Sequence, residues 1–542
     1  MTEMSKRLRA PDRPEKQKKT LGQYYTSTDV CEFMVGLSGV SKDARVLETG
    51  CGEGAFIKSL INHNFTDITA YDIHEPNVEY CKAQFGEKAN ILCQDYLRTP
   101  RKEKYDLIIG NPPYVQWNNI NPEIRKMLRE DPFWSQHTNG EWDLLYAFIV
   151  WSIEKLREGG ELIYIVPYNW FTSTYGASLR DYLVANGRFD VICHFSELKL
   201  FKDCFPNNIV FKYTKTDEKD VNILVSEYTD RSGDPSEIIA AITSEFEVAG
   251  KGDYENGDIT HRVYTMPQFP SGETWYLATP SERVAIEKLE EATEGNLLGD
   301  HLDVGVGIVS GYDKAFLLTD EEAAALSEDE SSYVFPFVKA RNCERYTIGS
   351  SSKFIFVDSV KSEEELRALP SIYNRLSEHR EGMDNRYEMK REGNKKDWWK
   401  WATIRNMELF KDNLDKAKIF VPCRDRSLQA RYSYTDDCVY GSGDVLMIAA
   451  REGLKEDLRY VLAWLNSDMV NDWYFVKGSR SGHRILYTQA YVAKVPLLLI
   501  DWDDEAQVSL HNRIVSEVQG ILDKRQPQAN IEHLLQEIIH GI

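Results

Sequence analysis

Tyr105-Asp106-Leu107-Ile108-Ile109-Gly110-Asn111-Pro112-Pro113-Tyr114 decides how this 542-residue chain is read. The run begins apolar, as a buried strand does. It stops at Asn-Pro-Pro-Tyr, because neither proline can donate a ladder hydrogen bond. A stiff turn at the C-terminal end of a strand is where an open α/β sheet binds its ligands. The turn offers the amide oxygen of Asn111, the carbonyl of Pro112 in fixed geometry and the aromatic face of Tyr114. Two acceptors aimed at an exocyclic amino group would draw its delocalised lone pair toward a tetrahedral, nucleophilic nitrogen. An aromatic ring alongside would hold the base flat. Read blandly, the same residues are a proline-terminated turn with a packing tyrosine, so the stretches before it carry the decision.

Working back from the turn, Arg45-Val46-Leu47-Glu48-Thr49-Gly50-Cys51-Gly52-Glu53-Gly54-Ala55-Phe56 is a strand running into a Gly-rich turn and a helix, Ile57 to Ile61. The glycines let a ligand approach the backbone. The next strand, Ile68 to Asp72, ends in an acid about 20 residues on, suited to a ribose diol. A third strand, Ile91 to Cys93, leads to Asp95-Tyr96, an acceptor and an aromatic suited to adenine. Glu48 and Glu53 flank the Gly-rich turn. They would repel a pyrophosphate but suit a cationic sulfonium with an amino-acid tail. S-adenosyl-L-methionine therefore fits better than NAD. Upstream, Leu21-Gly22-Gln23-Tyr24-Tyr25-Thr26-Ser27 precedes a helical pattern, and Thr26 to Thr28 offers an N-cap and hydroxyl donors.

Four strand ends carrying a Gly-rich turn, an acid, Asp-aromatic and Asn-Pro-Pro-Tyr resemble the gamma-group N6-adenine DNA methyltransferases of the TaqI type. The resemblance is strongest over residues 20–215. It implies an α/β fold: a Rossmann-like class I S-adenosylmethionine-dependent methyltransferase domain with a mixed, mainly parallel sheet, plus a C-terminal α+β DNA-recognition domain. By it, Tyr25 and Thr26 match the cofactor-lid motif, Glu48 and Gly50 the methionine end, Asp72 the ribose, and Asp95 and Tyr96 the adenine. Asn111, Pro112 and Tyr114 match the catalytic motif, with Asn111 also beside the cofactor. Ser27 departs from the proline that many relatives carry after Thr. In the family a phenylalanine before the strand Ile209–Tyr213 stacks on the flipped adenine. Counting back places it at Phe201, with Phe205 the alternative.

Between these motifs, Trp117–Thr138 reads as a flexible loop over the active site, with Trp117, Trp134 and His137 as candidate DNA contacts. The aromatics of Pro167-Tyr168-Asn169-Trp170 read as core packing. Residues 1–19 read as a basic flexible tail, 20–255 as the catalytic domain and 256–542 as the target-recognition domain, after a Gly-rich linker near 250–257.

Composition sets outer bounds. Net charge is −21, which alone argues against nucleic acid. The average hides basic patches, however. Residues 375–431 hold 15 Lys/Arg against 10 Asp/Glu, and residues 477–494 hold four bases and no acid. Lys395, Lys396 and Arg405, interleaved with tryptophans, suit a phosphate-tracking surface with stacking platforms; a helix with buried tryptophans is the plain alternative. Lys477, Arg480 and Arg484 lie in a basic Gly-rich loop favoured for DNA contact. Residues 503–542 show two helical segments. Nine scattered cysteines, without paired spacing, point to a reducing cytoplasm and to no metal site. No run of 18 apolar residues occurs, so no membrane span is expected.

The reading is a site-specific adenine DNA methyltransferase that flips its target base out of double-stranded DNA. It is expected to act as a monomer on DNA, in a restriction-modification or related defence system with a separate restriction endonuclease. The competing readings are an RNA adenine or protein glutamine methyltransferase, or a non-catalytic DNA-recognition subunit.

Overall fold

The computed structural model describes residues 26–137, 142–196, 198, 200, 207–229, 233–249, 254–258, 260–386, 397–427, 429–481, 484–526 and 529–540. The chain divides into two compact units, Met1–Ser281 and Glu282–Ile542.

The first unit is built on ten strands: β1 (Arg45–Glu48), β2 (Asp67–Asp72), β3 (Asn90–Cys93), β4 (Tyr105–Gly110), β5 (Leu156–Pro167), β6 (Gly187–His194), β7 (Asn208–Lys215), β8 (Ile223–Tyr228), β9 (Glu255–Gly257) and β10 (His261–Met266). They form one sheet in the order β3-β2-β1-β4-β5-β7-β6-β8-β10-β9. The strands β3, β2, β1, β4 and β5 are parallel. Strand β7 runs antiparallel between β5 and β6. This is the mixed, mainly parallel sheet that the resemblance implies, extended at one edge. The strand order reverses between β1 and β4, so the chain leaves these two strands toward opposite sides and opens a crevice at their C-terminal ends.

The sequence explains the layering. Tyr105, Leu107, Ile108 and Ile109 of β4 are all fully buried, as a parallel strand covered on both faces requires. Leu47, Ile108 and Tyr164 share one core with the helix Leu144–Lys155. Val46, Ile109 and Ile163 face the other core, filled by the helices Thr28–Gly36 and Ala55–Asn62. The second of these helices starts at Gly54, whose φ of 81° favours glycine, and a Cβ there would fall 2.7 Å from the Phe85 ring.

Two expectations are corrected here. The boundary near residue 255 falls inside the first unit, because β9 and β10 close the large sheet by pairing β10 antiparallel to β8. A Gly-rich linker composition also serves a hairpin. The segment expected as a flexible loop after Tyr114 is instead a 3₁₀ turn, Trp117–Asn119, and two helices, Pro122–Glu130 and Pro132–His137. It folds because Leu128, Trp117 and Trp134 are buried beneath it.

The second unit carries two four-stranded sheets and a three-stranded sheet. The strand Leu302–Val306 is paired antiparallel with Val445–Ala450. The helix Leu458–Leu465 buries Trp464. Residues Glu505–Leu522 and Ile531–His540 form the two expected terminal helices. No helix among the described residues is long and apolar enough to cross a membrane.

Candidate active site

The C-terminal ends of β1 to β4 wall a single cavity of about 580 Å³. Gly50, Asp72, Asp95, Tyr96 and Asn111 all line it, so five expected residues from four separate strand ends meet there.

At the end of β1, Glu48 lies behind the cavity wall and is 1% exposed. Its Oε2 is buried and has no hydrogen-bond partner among the described residues. Burial, reinforced by Cys81 and by Asp72, pushes its carboxyl well above the usual range. Gly50 opens into space, since a Cβ there would meet nothing within 4 Å. At the end of β2, Asp72 is anchored from three sides. Its Oδ2 accepts from the Gly52 amide at 2.9 Å and from Asn77 Nδ2 at 3.3 Å, and its Oδ1 from the His74 amide at 2.7 Å. Beside it, Ile73 is 58% exposed on the cavity wall. The sequence reading missed Ile73; its signal was a lone apolar residue directly after a strand-ending acid.

At the end of β3, Asp95 Oδ1 accepts from the Leu97 amide at 3.0 Å and caps the turn that carries Tyr96. The Tyr96 ring packs 5.1 Å from Phe148, which also lines the cavity. A run of buried hydroxyls then joins two walls of the site. Tyr96 Oη lies 2.9 Å from Ser152 Oγ, which lies 2.7 Å from Tyr164 Oη, itself 3.1 Å from Thr49 Oγ1. Lys155 sits 5.1 Å from the centre of the Tyr96 ring, with its ammonium pushed down to about 8 by burial. Ser152, Tyr164 and Lys155 carried no sequence signal, because their partners are distant in the chain.

At the end of β4, Gly110 takes a φ of 155° and delivers Asn111 to the cavity. Asn111 Nδ2 donates to Thr26 Oγ1 at 3.1 Å. Tyr114 Oη, half-buried, lies 2.5 Å from Asn111 Oδ1 and 2.7 Å from the Ile165 carbonyl, two acceptors that share its single hydrogen. The Pro112 carbonyl accepts no hydrogen bond from the described residues.

Other expected contacts fall elsewhere. Trp117 and Trp134 stack at 5.6 Å and Trp134 meets Trp142 edge-on at 5.1 Å, all three buried, so neither is a DNA contact. Trp170 is fully buried core, as read. Trp398, Trp399 and Trp401 are buried as well, and the Trp401 indole donates to the Ile355 carbonyl at 3.0 Å; they are not stacking platforms. Lys477 is committed to Glu290 at 2.6 Å, and Arg480 lies over the Phe475 ring at 4.2 Å. Arg405 is exposed and Arg484 partly so. Tyr25, His137's side chain, Phe201, Phe205, Lys395 and Lys396 lie outside the described residues. Among the described residues no group of His, Cys, Asp or Glu is placed to hold a metal ion.

Residues 45–201 match the model of the Eco57I restriction-modification methylases, and residues 336–497 that of the TaqI-like C-terminal specificity domain. The chain is 29% identical to the type II methyltransferase M.HindII of Haemophilus influenzae, over 94% of this chain and 96% of that protein. It is 36% identical to the type II methyltransferase M.MjaIV of Methanocaldococcus jannaschii, over 45% of this chain and 79% of that one. Among solved structures, a type IIL restriction-modification enzyme, MmeI, in complex with DNA shares the fold with a TM-score of 0.58. The match is 13% identical and covers 97% of this chain and 76% of that one.

Proposed function

We propose, for a chain that belongs to the type II restriction-modification methyltransferases, transfer of a methyl group from S-adenosylmethionine to N6 of an adenine flipped out of double-stranded DNA. The observation that carries this reading is the pair of acceptors at the end of β4. Asn111 lines the cavity, and the neighbouring Pro112 carbonyl has no hydrogen bond from the described residues.

Adenine N6 is a weak nucleophile because its lone pair is shared with the ring. Asn111 Oδ1 and the Pro112 carbonyl accept its two N–H bonds and localise that pair for attack. Both are held before the base arrives, so little reorganisation is required. Tyr114 is the ring on which the base rests, and its hydroxyl holds the Asn111 amide in place. Phe201 is the proposed second stacking group, with Phe205 the alternative. Flipping costs a few kcal/mol, and stacking on these rings returns part of it. Once transfer is complete, the surplus proton leaves to water.

The cavity suits the cofactor on this chain's own features. S-adenosylmethionine, when bound, supplies an electrophilic methyl group on a cationic sulfonium. Glu48 offers a buried carboxylate oxygen without a partner among the described residues, which a cationic amino-acid tail would satisfy and ionise. Asp72 is oriented by three donors and stands ready for a ribose diol. Ile73, Tyr96 and Phe148 give apolar walls for an adenine ring, and Asp95 is the proposed acceptor for its amino group. Thr26 fixes the amide orientation of Asn111, and Tyr25 beside it is proposed as part of the same lid.

Duplex DNA is the proposed substrate, and a separate endonuclease cutting the same unmodified sequence is the proposed partner system. The test is transfer of isotope-labelled methyl groups from S-adenosylmethionine to duplex DNA, followed by mass spectrometry of the nucleosides. N6-methyl-2′-deoxyadenosine is the expected product. Label on cytosine, on RNA or on protein, with none on DNA adenine, would overturn the reading.

A further inference from the structure

Three strands distant in sequence form a small sheet in the second unit: Arg424–Asp425, Arg484–Leu486 and Ser479–Ser481. Arg424 pairs with Leu486 and Asp425 with Ile485, both antiparallel. Alternation sends Asp425 and Ile485 to one face, where they are 5% and 2% exposed. That face is locked: Arg431 Nε donates to Asp425 Oδ2 at 2.7 Å.

The opposite face carries Arg424 and Arg484. They are diagonal neighbours across the antiparallel pair, roughly 7 Å apart at Cα. Arg426 follows on the same alternation just past the strand, exposed like Arg424. None of these three guanidinium groups has a hydrogen-bond or carboxylate partner among the described residues. Lys477 and Arg480, from the same basic stretch, are already occupied by Glu290 and by the Phe475 ring.

We propose that this arginine face is a duplex-DNA contact surface, with Arg424 and Arg484 as its principal contacts; the inference rests on the proposed function. The face offers duplex DNA charge complementarity on a rigid scaffold. A guanidinium keeps its charge at any working pH and meets phosphate or a guanine edge with two parallel donors. A sheet holds the pair at fixed spacing, so little ordering cost falls on binding. Arg424 and Arg426 extend the surface beyond the basic loop, into a strand that sequence alone would not join to it.

The test uses the full chain and a short fluorescein-labelled duplex carrying the sequence it methylates, beside a scrambled duplex. Affinities of wild type, Arg424→Gln, Arg484→Gln and the double variant are measured over a salt series. Arg513→Gln, an exposed arginine on the helix Glu505–Leu522, controls for net charge. The proposal expects each single variant to bind about tenfold more weakly and the double variant more weakly still. Binding of S-adenosylhomocysteine and the melting temperature should stay at wild-type values. A loss confined to the methylated sequence assigns the arginines to base edges. A loss shared by both duplexes, with the salt slope reduced by roughly one per arginine, assigns them to phosphates. Variants that bind both duplexes as Arg513→Gln does would overturn the proposal, while wild-type methylation of DNA adenine would leave the proposed function standing. A wild type that methylates no DNA would overturn both.

Discussion

The strand-end turns of the first unit and the basic stretches of the second make an instructive pair. Both were singled out by residue type. In the first unit, Gly50, Asp72, Asp95, Tyr96 and Asn111 converge on one cavity. In the second, Trp398, Trp399 and Trp401 are buried, Lys477 is tied to Glu290, and the unpaired charge lies partly on Arg424 and Arg426. The difference is physical. A turn after a buried strand has its position dictated by the sheet, so a chemically suited residue there is delivered to the crevice. A surface contact depends on which charges stay unpaired after folding, and that is settled by partners far away in sequence. Glu290 stands 187 residues before Lys477.

Four substitutions sharpen or break that contrast. The largest effect is expected at Asn111. Asn111→Ala should lower the rate of methyl transfer by roughly 10²- to 10³-fold, with S-adenosylhomocysteine affinity changed little. Single-turnover kinetics separates the two, and a loss of cofactor affinity equal to the loss of rate would make Asn111 a binding residue only. Next in size, Trp401→Ala should cost about 3–5 kcal/mol of stability in urea unfolding of the second unit. A stable protein with weakened DNA binding would restore the tryptophans as a stacking platform.

Glu48 ties stability to binding within the first unit. Its carboxyl is raised by burial in the absence of ligand. Below its unfolded value of about 4.3 both states are protonated and nothing is lost. As pH rises above that, the unfolded chain ionises first, so the folded state loses stability. Glu48→Gln removes this loss. Without cofactor it should melt higher than wild type at pH 8, with the gap closing toward pH 5. Its cofactor affinity should fall roughly 10- to 100-fold. A melting difference of the opposite sign would show that Glu48 is ionised and satisfied in the free protein. The smallest effect is expected for Lys477→Ala, which loses a partly exposed ion pair worth up to about 1 kcal/mol. Duplex affinity should be unchanged; a tenfold loss would return Lys477 to the DNA surface.

What was legible follows from the same contrast. The strands β1 to β5 were readable because a buried parallel strand is an apolar run between turn signals, and Asn111-Pro112-Pro113 marks its own end. Asp72 was readable from its spacing behind the Gly-rich turn. The cap over residues 117–137 was misread, because polar Asn118, Asn119 and Asn121 mask the buried Trp117, Trp134 and Leu128 that fold it. The boundary near 255 was misread because Gly and Asp serve a hairpin as readily as a linker. Ser152 and Tyr164 were invisible, since a hydroxyl run has no sequence period.

The central claim is that the end of β4 methylates adenine in DNA. It is tested most directly by single-molecule sequencing of plasmid DNA from cells expressing this chain, beside cells expressing Asn111→Ala. The account predicts N6-methyladenine at one short motif with wild type and none with the variant. Unmodified adenine in both, from a protein that still binds S-adenosylhomocysteine, would contradict it.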